Sequence, residues 1–325
     1  MKLRKIAAVL IAIVVLCAAP IGGLVGVDCM SFFAPQAEAA GKTYKVGDIV
    51  EFGSYPQSRI TNSSLVSALN KVSKNWVSYG YYSGTGDYGT MVQGNWMKYA
   101  DFTYNGTKYR AVTFSQNRPY RIYNPSSSNT SNQYSNGYTP NKIYYFKYEP
   151  LKWRVLDPSA GLVLCESIID SQAYSNTVYC YGRDPYDEYD AYWNDAEHTH
   201  YANDYATSSI RAWLNDDFYN TAFSSSQKAS ILTSKLDNRA CSTSYSEYDS
   251  ETTYDKVFLL SWSEMQNTAY GFSASTSSSP TRQAKGTDYA KCQGVDVDSS
   301  SKCSEQRLRS AGGISSHACS VYNDG

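Results

Sequence analysis

The clearest periodic stretch of the chain runs from Ser208 to Phe223, SSIRAWLNDDFYNTAF. Ile210, Trp213, Leu214 and Phe218 recur at helical spacing and fall on one face. Ser208 or Ser209 is placed to cap the first turn through its hydroxyl. Phe223 follows in a short loop, and Ser224 with Gln227 then has capping-box spacing ahead of Ala229, Ile231 and Leu232. Two consecutive helices are predicted. Apolar residues at this period face a core more often than a ligand, so Trp213 and Phe218 are expected to be packing residues.

Shorter patterns surround this pair. Residues 41–55 read as two short strands around Gly47-Asp48, and Asn62 to Val72 as an amphipathic helix with Leu65, Ala68, Leu69 and Val72 on one face. Trp76 to Gly94, rich in Tyr, Ser and Gly, reads as loop. Asp101–Tyr104 and Lys108–Phe114 flank Asn105-Gly106, the signature of a hairpin with a type I′ turn. Pro125 to Pro140 has little to bury and is predicted to be loop. Tyr144–Tyr148, Trp153–Leu156 and Leu162–Ile169 read as strands, and Val178 to Tyr205 as a long polar, aromatic insertion. Lys256–Ser261 is a buried strand leading, through Ser261 and Glu264, into another capped helix. Tyr289–Gly294 and Gln306–Ser310 close the pattern. There is no internal repeat and no heptad.

The N-terminus changes the picture by setting a compartment. Lys2, Arg4 and Lys5 precede an apolar run from Ile6 to about Val27, and Ala37-Glu38-Ala39-Ala40 has the A-x-A form of a cleavage site. Uncut, the run is long enough to span a bilayer, but Pro20, Gly22, Gly23 and Gly26 interrupt it. A cleaved signal peptide at residues 1–40 is expected, with export to the cell surface or beyond and no stable membrane span afterwards. Leu16 is bulky where a lipoprotein signal at Cys17 would need a small residue.

Of 29 Lys+Arg and 30 Asp+Glu residues, the leader carries three basic and two acidic ones, so the remainder has a net charge near −2. That balance excludes nucleic acid as an expected partner, which would need a basic footprint. Hydrophobic residues make up 42% of the chain and support a real core, while charged residues are only 18%. Tyr is abundant at 31 residues, as on extracellular binding surfaces, where Tyr supplies rigid amphipathic contact area. Beyond the leader six of the eight cysteines remain: Cys165, Cys180, Cys241, Cys292, Cys303 and Cys319. An even number in an exported chain suggests disulfides, but six cysteines allow about 15 pairings that sequence does not separate. Cys303 and Cys319 bracket one motif and are the first choice. None has the spacing of a zinc or CxxC redox site.

Six runs together carry a resemblance: VGDIVEFGSYPQS (46–58), YYFKYEPLKWRVLD (144–157), SSIRAWLNDDFYNTAF (208–223), DKVFLLSWSE (255–264), TDYAK (287–291) and RLRSAGG (307–313). In this order they resemble an uncharacterised family of exported bacterial domains, itself similar to the C-type-lectin-like and sulfatase-modifying-factor fold. The resemblance implies a single α+β domain of short strands, two consecutive helices and long polar loops. Residues 143–325 would form its main region, and residues 41–142 would lie inserted in it or lead into it. Two departures stand out. Arg307-Leu308-Arg309-Ser310-Ala311-Gly312 occupies the place of the family's Trp-Leu-Arg-Ser-Pro-Gly. Related domains also continue past the position of Gly325, so a truncated C-terminus and an unpaired sheet edge are expected.

For chemistry, the insertion at 184–205 is the first place to look. Tyr189, Trp193 and Asn194 are the expected ligand contacts, through ring stacking and polar hydrogen bonds. His198 and His200 form a His-x-His that would point both rings one way on a strand, with Asp195 or Asp204 to complete a metal site. Trp193-Asn194-Asp195 copies a calcium-contacting lectin tripeptide at the wrong place in the chain. Asp296, Asp298 and Ser300 resemble the start of a calcium loop without its glycine or distal glutamate. Asp187 and Glu188 are adjacent, so their carboxylates diverge in an extended chain. No GxSxG, HExxH or Walker pattern occurs. The expected function is a non-catalytic recognition module for an extracellular glycan or protein, without cofactor. The alternatives are a thiol- or cofactor-dependent enzyme on a sulfatase-modifying-factor-like scaffold, and a structural cell-surface spacer.

Overall fold

A computed structural model describes residues 10–11, 15–16, 43–83, 90–118, 132–175 and 200–325. The chain is α+β, with most of its regular structure in strands. Its centre is an eight-stranded sheet. Two short N-terminal strands, β1 (Leu10–Ile11) and β2 (Val15–Leu16), precede β3 (Ile49–Arg59). Next come helix α1 (Ser63–Asn70) and strands β4 (Val77–Ser83), β5 (Thr90–Tyr104) and β6 (Thr107–Phe114). A short helix α2 (Asn132–Ser135) leads to β7 (Ile143–Asp157) and β8 (Leu162–Cys165).

Strand β7 organises the sheet. One edge pairs with β3 from Arg154 to Phe146, and the other pairs with β6 over its first half and β8 over its second. The expected break between Tyr148 and Trp153 does not occur; Pro150 is accommodated because the register with β3 shifts around it. Two other expectations are corrected. Residues 43–48 form a turn rather than a first strand, and β3 then runs unbroken for 11 residues. Val77–Ser83 and Thr90 onward pair as β4 and β5 where loop was expected, and Tyr79 is buried in the core on one face of β4. The hairpin forms as read, with Asn105 at φ 47° and Gly106 at φ 76°, both central residues being left-handed as a type I′ turn requires.

Asn62 caps α1 by accepting from the Leu65 N–H, and α1 lays Leu69 against Tyr109, Ala111 and Tyr145 on one side of the sheet. The larger core lies on the other side. There the 208–223 segment forms a bent helix: α3 (Ser209–Trp213), a π turn (Leu214–Phe218) and α4 (Tyr219–Ala222). Ser208 caps it, and Ile210, Trp213, Leu214 and Phe218 are all buried. Helix α5 (Ser225–Ser230) begins with both halves of the Ser224/Gln227 capping box.

The π turn has a use. It presents Asn215 so that its amide donates to the Val257 carbonyl and accepts from the Lys256 and Val257 N–H groups. Arg211, one turn earlier, grips Asp255 with Nε at 2.8 and 3.0 Å from the two carboxylate oxygens. Burial outweighs the guanidinium there and raises Asp255 above the ordinary carboxylate range. At the far end Phe223 packs on Phe52 and Trp153. A Cβ on Gly53 would stand 2.5 Å from the Phe223 ring, and Gly53 also has φ +73°, so only glycine fits.

Short elements complete the chain. Strands β9 (Ser167–Ile168) and β10 (Ser171–Gln172) follow β8, and β11 (Ser234–Leu236) pairs with β12 (Thr253–Asp255). Of the expected strand at 256–261 only β13 (Val257–Phe258) is regular, though the run to Ser261 is buried. Strand β14 (Lys285–Gly286), helix α6 (Asp288–Cys292) and the hairpin of β15 (Gln306–Ala311) and β16 (Ala318–Val321) finish it. Residues 15–16 sit between β8 and β13, antiparallel to both, and residues 10–11 pair with β10. Among the described residues no helix is long and apolar enough to cross a membrane.

Candidate functional site

Two polar centres are built by these elements. The first is enclosed. Arg110 on β6 donates to Asp101 on β5 from Nε and Nη2, both at 2.8 Å, and to the Tyr148 and Tyr289 hydroxyls at 3.0 and 3.1 Å. Its guanidinium carbon lies 4.4 Å from the centre of the Tyr99 ring, with the Tyr55 and Tyr289 rings within 5.7 Å. Burial alone would raise the Asp101 carboxyl, but the Arg110 contact and the Tyr148 hydroxyl outweigh it and hold it below the usual range. Beside this pair, Asp170 is fully buried and accepts from the Tyr55 hydroxyl at 2.7 Å, the Ser171 N–H at 2.7 Å and the Gln172 amide at 3.1 Å. Burial pushes its carboxyl up to about 6, against the pull of those donors and of the Arg110 and Arg118 charges. Gln172 extends the chain of contacts to the Tyr79 hydroxyl.

The second centre is open. A cavity of about 410 Å³ lies between the 237–249 segment, the start of the 261–264 turn and the end of β15. Its base is a charge pair. Arg309 donates from Nη1 and Nη2 to the two Glu264 oxygens at 2.6 and 2.8 Å, and also to the Leu259 carbonyl at 2.7 Å. Glu264 closes the Ser261 capping box, accepting from the Ser261 N–H at 2.7 Å while its own N–H donates to the Ser261 hydroxyl at 3.2 Å. The Trp262 N–H donates to the Ser310 hydroxyl at 3.2 Å, which ties the turn to β15; Trp262 lines the cavity and its half-buried side chain also packs against the main core. Hydroxyls of Ser242, Thr243, Ser246 and Ser263 line it as well, with Asp237 and Asp249. Donors, acceptors and charged groups therefore line one cavity together with one aromatic residue, and the Arg309–Glu264 pair braces it.

Tyr189, Trp193, Asn194 and His198 lie outside the described residues, as do Asp187, Glu188 and Asp195. His200 is described: its Nδ1 is 3.3 Å from Asp204 Oδ2. Asp204 also receives the Thr207 hydroxyl at 2.8 Å and the Ala206 N–H at 3.0 Å, so it holds its own turn. Asp298 is engaged by the N–H and hydroxyl groups of Ser300 and Ser301, and these contacts keep its carboxyl low. Among the described residues no three His, Cys, Asp or Glu side chains gather as a metal site.

Cys303 and Cys319 form no disulfide. Both are free thiols; Cys303 lies against the Ser301 carbonyl at 3.6 Å, and Cys319 against the Ala311 carbonyl at 3.5 Å and the Cys241 thiol. Sequence reasoning missed the cavity, although Trp262, Glu264, Arg309 and Ser310 all stand in runs it singled out. What it lacked was any signal that the unpatterned 237–249 segment folds over them. A lone Asp ending the apolar run at Ile169 was the available signal for Asp170.

No curated protein and no solved structure matches the chain. Residues 163–325 match the family described as Domain of unknown function (DUF6273). The matched half holds the bent helix, the cavity and the 255–264 and 307–313 runs, and on that match the chain belongs to this family of uncharacterised domains.

Proposed function

We propose that this protein is an exported recognition module whose cavity at Trp262 binds a small hydroxyl-rich ligand of the glycan class. The observation that carries the reading is the presence of one aromatic residue, Trp262, with hydroxyl- and carboxylate-bearing residues around the paired Arg309 and Glu264. Its volume of about 410 Å³ lies within the usual range for small-ligand sites. Sugars are bound by apolar contact on an aromatic face and by hydrogen bonds at the ring edge, and this lining offers both. The leader at residues 1–40 supports export, and the short strands, paired helices and long connections support a C-type-lectin-like relative. The Tyr-, Trp- and Asn-rich insertion at 184–205 would add contacts from its own residues.

A glycan array followed by calorimetry on the hits tests the proposal. Binding that falls at least tenfold in Trp262→Ala supports it. Absence of binding above background, or binding that Trp262→Ala leaves unchanged, removes the cavity from consideration. A second reading, thiol-dependent catalysis, is favoured by one observation: Cys241 lines the same cavity. It predicts turnover that Cys241→Ser abolishes.

A further inference from the structure

We propose that Cys241 and Cys319 are a reversible dithiol–disulfide pair that fastens the cavity-lining 240–243 segment to the β15–β16 hairpin. Both residues are directed at one carbonyl. The Cys241 N–H donates to the Ala311 oxygen at 2.9 Å, and the Cys319 thiol lies 3.5 Å from the same oxygen. The β15–β16 register sets Ala318 opposite Ala311, which brings Cys319 alongside, and its thiol meets the Cys241 thiol side by side. Both cysteines are half-buried, whereas Cys165, Cys292 and Cys303 are buried.

The two sulfurs have different roles. Cys241 lines the cavity, so a small oxidant reaches it from solvent. Burial, and then the neighbouring Cys241 thiol, push the Cys319 thiol up despite the nearby Arg307 charge, so Cys319 is the weaker first nucleophile of the two positions. The reaction is thiol–disulfide exchange with a small-molecule disulfide or a disulfide-carrying oxidoreductase of the exported compartment. The Cys241 thiolate attacks one donor sulfur, forming a mixed disulfide and releasing the first donor thiol. Cys319 then loses its proton and attacks the Cys241 sulfur, releasing the second donor thiol. Two protein thiols are oxidised, one donor disulfide is reduced, and the two protons end on the released thiols. This pairing does not depend on what the cavity binds.

The test is to treat the full chain with excess oxidised glutathione, block remaining thiols by alkylation and map the peptides without reduction. The expected result is a linked pair of peptides carrying Cys241 and Cys319, reversed by dithiothreitol and retained in Cys303→Ser. The oxidised chain should also melt roughly 5–10 °C higher, the scale of one unstrained crosslink in a domain this size, a gain lost in Cys241→Ser and Cys319→Ser alike. In Cys319→Ser, glutathione should be trapped on Cys241. Linkage of Cys319 to Cys303 or Cys180 overturns the proposal, as does full alkylation of both Cys241 and Cys319 after oxidation.

Discussion

Arg110 with Asp101 and Arg309 with Glu264 are chemically the same object, a guanidinium held by two bonds to a carboxylate. Their burial is also nearly the same: side-chain exposures are 5% and 28% for the first pair and 3% and 23% for the second. The difference is in what surrounds them. Tyrosine rings and hydroxyls close over Arg110, and each of its three guanidinium nitrogens donates to a group inside the protein. Arg309 spends its donors on Glu264 and backbone carbonyls, and the turn it anchors forms the wall of a cavity. A buried charge pair therefore does not mark a site. What marks one is the solvent-reachable surface that the pair makes rigid.

Removing Arg110 should have the largest effect. Arg110→Met leaves Asp101 and the Tyr148 and Tyr289 hydroxyls without their cation and is expected to cost about 3–5 kcal/mol, the scale for breaking a buried pair, read by urea unfolding. Ligand binding per folded molecule should be unaffected. If Arg110→Met abolished binding at conditions where the protein is folded, the division into a structural and a functional centre would fail.

Glu264→Ala should cost somewhat less, about 2–4 kcal/mol, because Arg309 keeps its carbonyl partners while the Ser261 capping box is lost. Unlike Arg110→Met, it should also weaken binding under folding conditions, since the wall at Trp262 loosens. Equal loss of stability with intact binding would show that the base of the cavity is not needed to shape it.

Asp170 sharpens the comparison by its pH dependence. Its folded-state value of about 6 lies above the ordinary 3.8, so between about pH 4 and 6 the folded state takes up a proton that the unfolded state does not. Stability from this group is highest at low pH, falls as pH rises through that window, and carries its full cost above it. Asp170→Asn keeps an acceptor for the Ser171 N–H and offers its amide to the Tyr55 hydroxyl. It should gain up to about 3 kcal/mol at pH 7.5 and little at pH 4, measured by denaturation at both values. A variant less stable than the parent at pH 7.5 would mean that the three hydrogen bonds outweigh the charge.

The smallest effect on stability belongs to Trp262→Ala. Its ring is half-buried, so a loss of about 1 kcal/mol is expected, within the range of a typical point substitution. Its effect on binding should be the largest of the four. A calorimetric titration beside a thermal melt separates the two quantities.

Local grammar was legible along the chain. Ser208, Ser224 with Gln227, Ser261 with Glu264, and Asn105-Gly106 each form the cap or turn they announce, because those signals act over three or four residues and need no partner from elsewhere. The core face of the 208–223 helix was legible for the same reason. By contrast, the π turn at Leu214–Phe218 depends on Asn215 reaching the Lys256–Val257 backbone 41 residues away, and periodicity carries no trace of that demand. Strand β4 was hidden because its Tyr, Ser and Gly composition is that of a loop until β5 lies beside it.

The N-terminal residues show the same limit from the other side. Their composition reads as a signal peptide, while Val15 and Leu16 pair between β8 and β13 in the folded chain. By itself, then, the sequence determined the caps, the turns and the apolar helix face, all of them interactions between near neighbours. Only the tertiary structure decided which arginine closes a core and which one props open a cavity, and that Cys319 meets Cys241. Those outcomes depend on segments far apart in the chain coming to the same place. A lone arginine, glutamate or cysteine in the sequence carries no mark of the partner that long-range packing will give it.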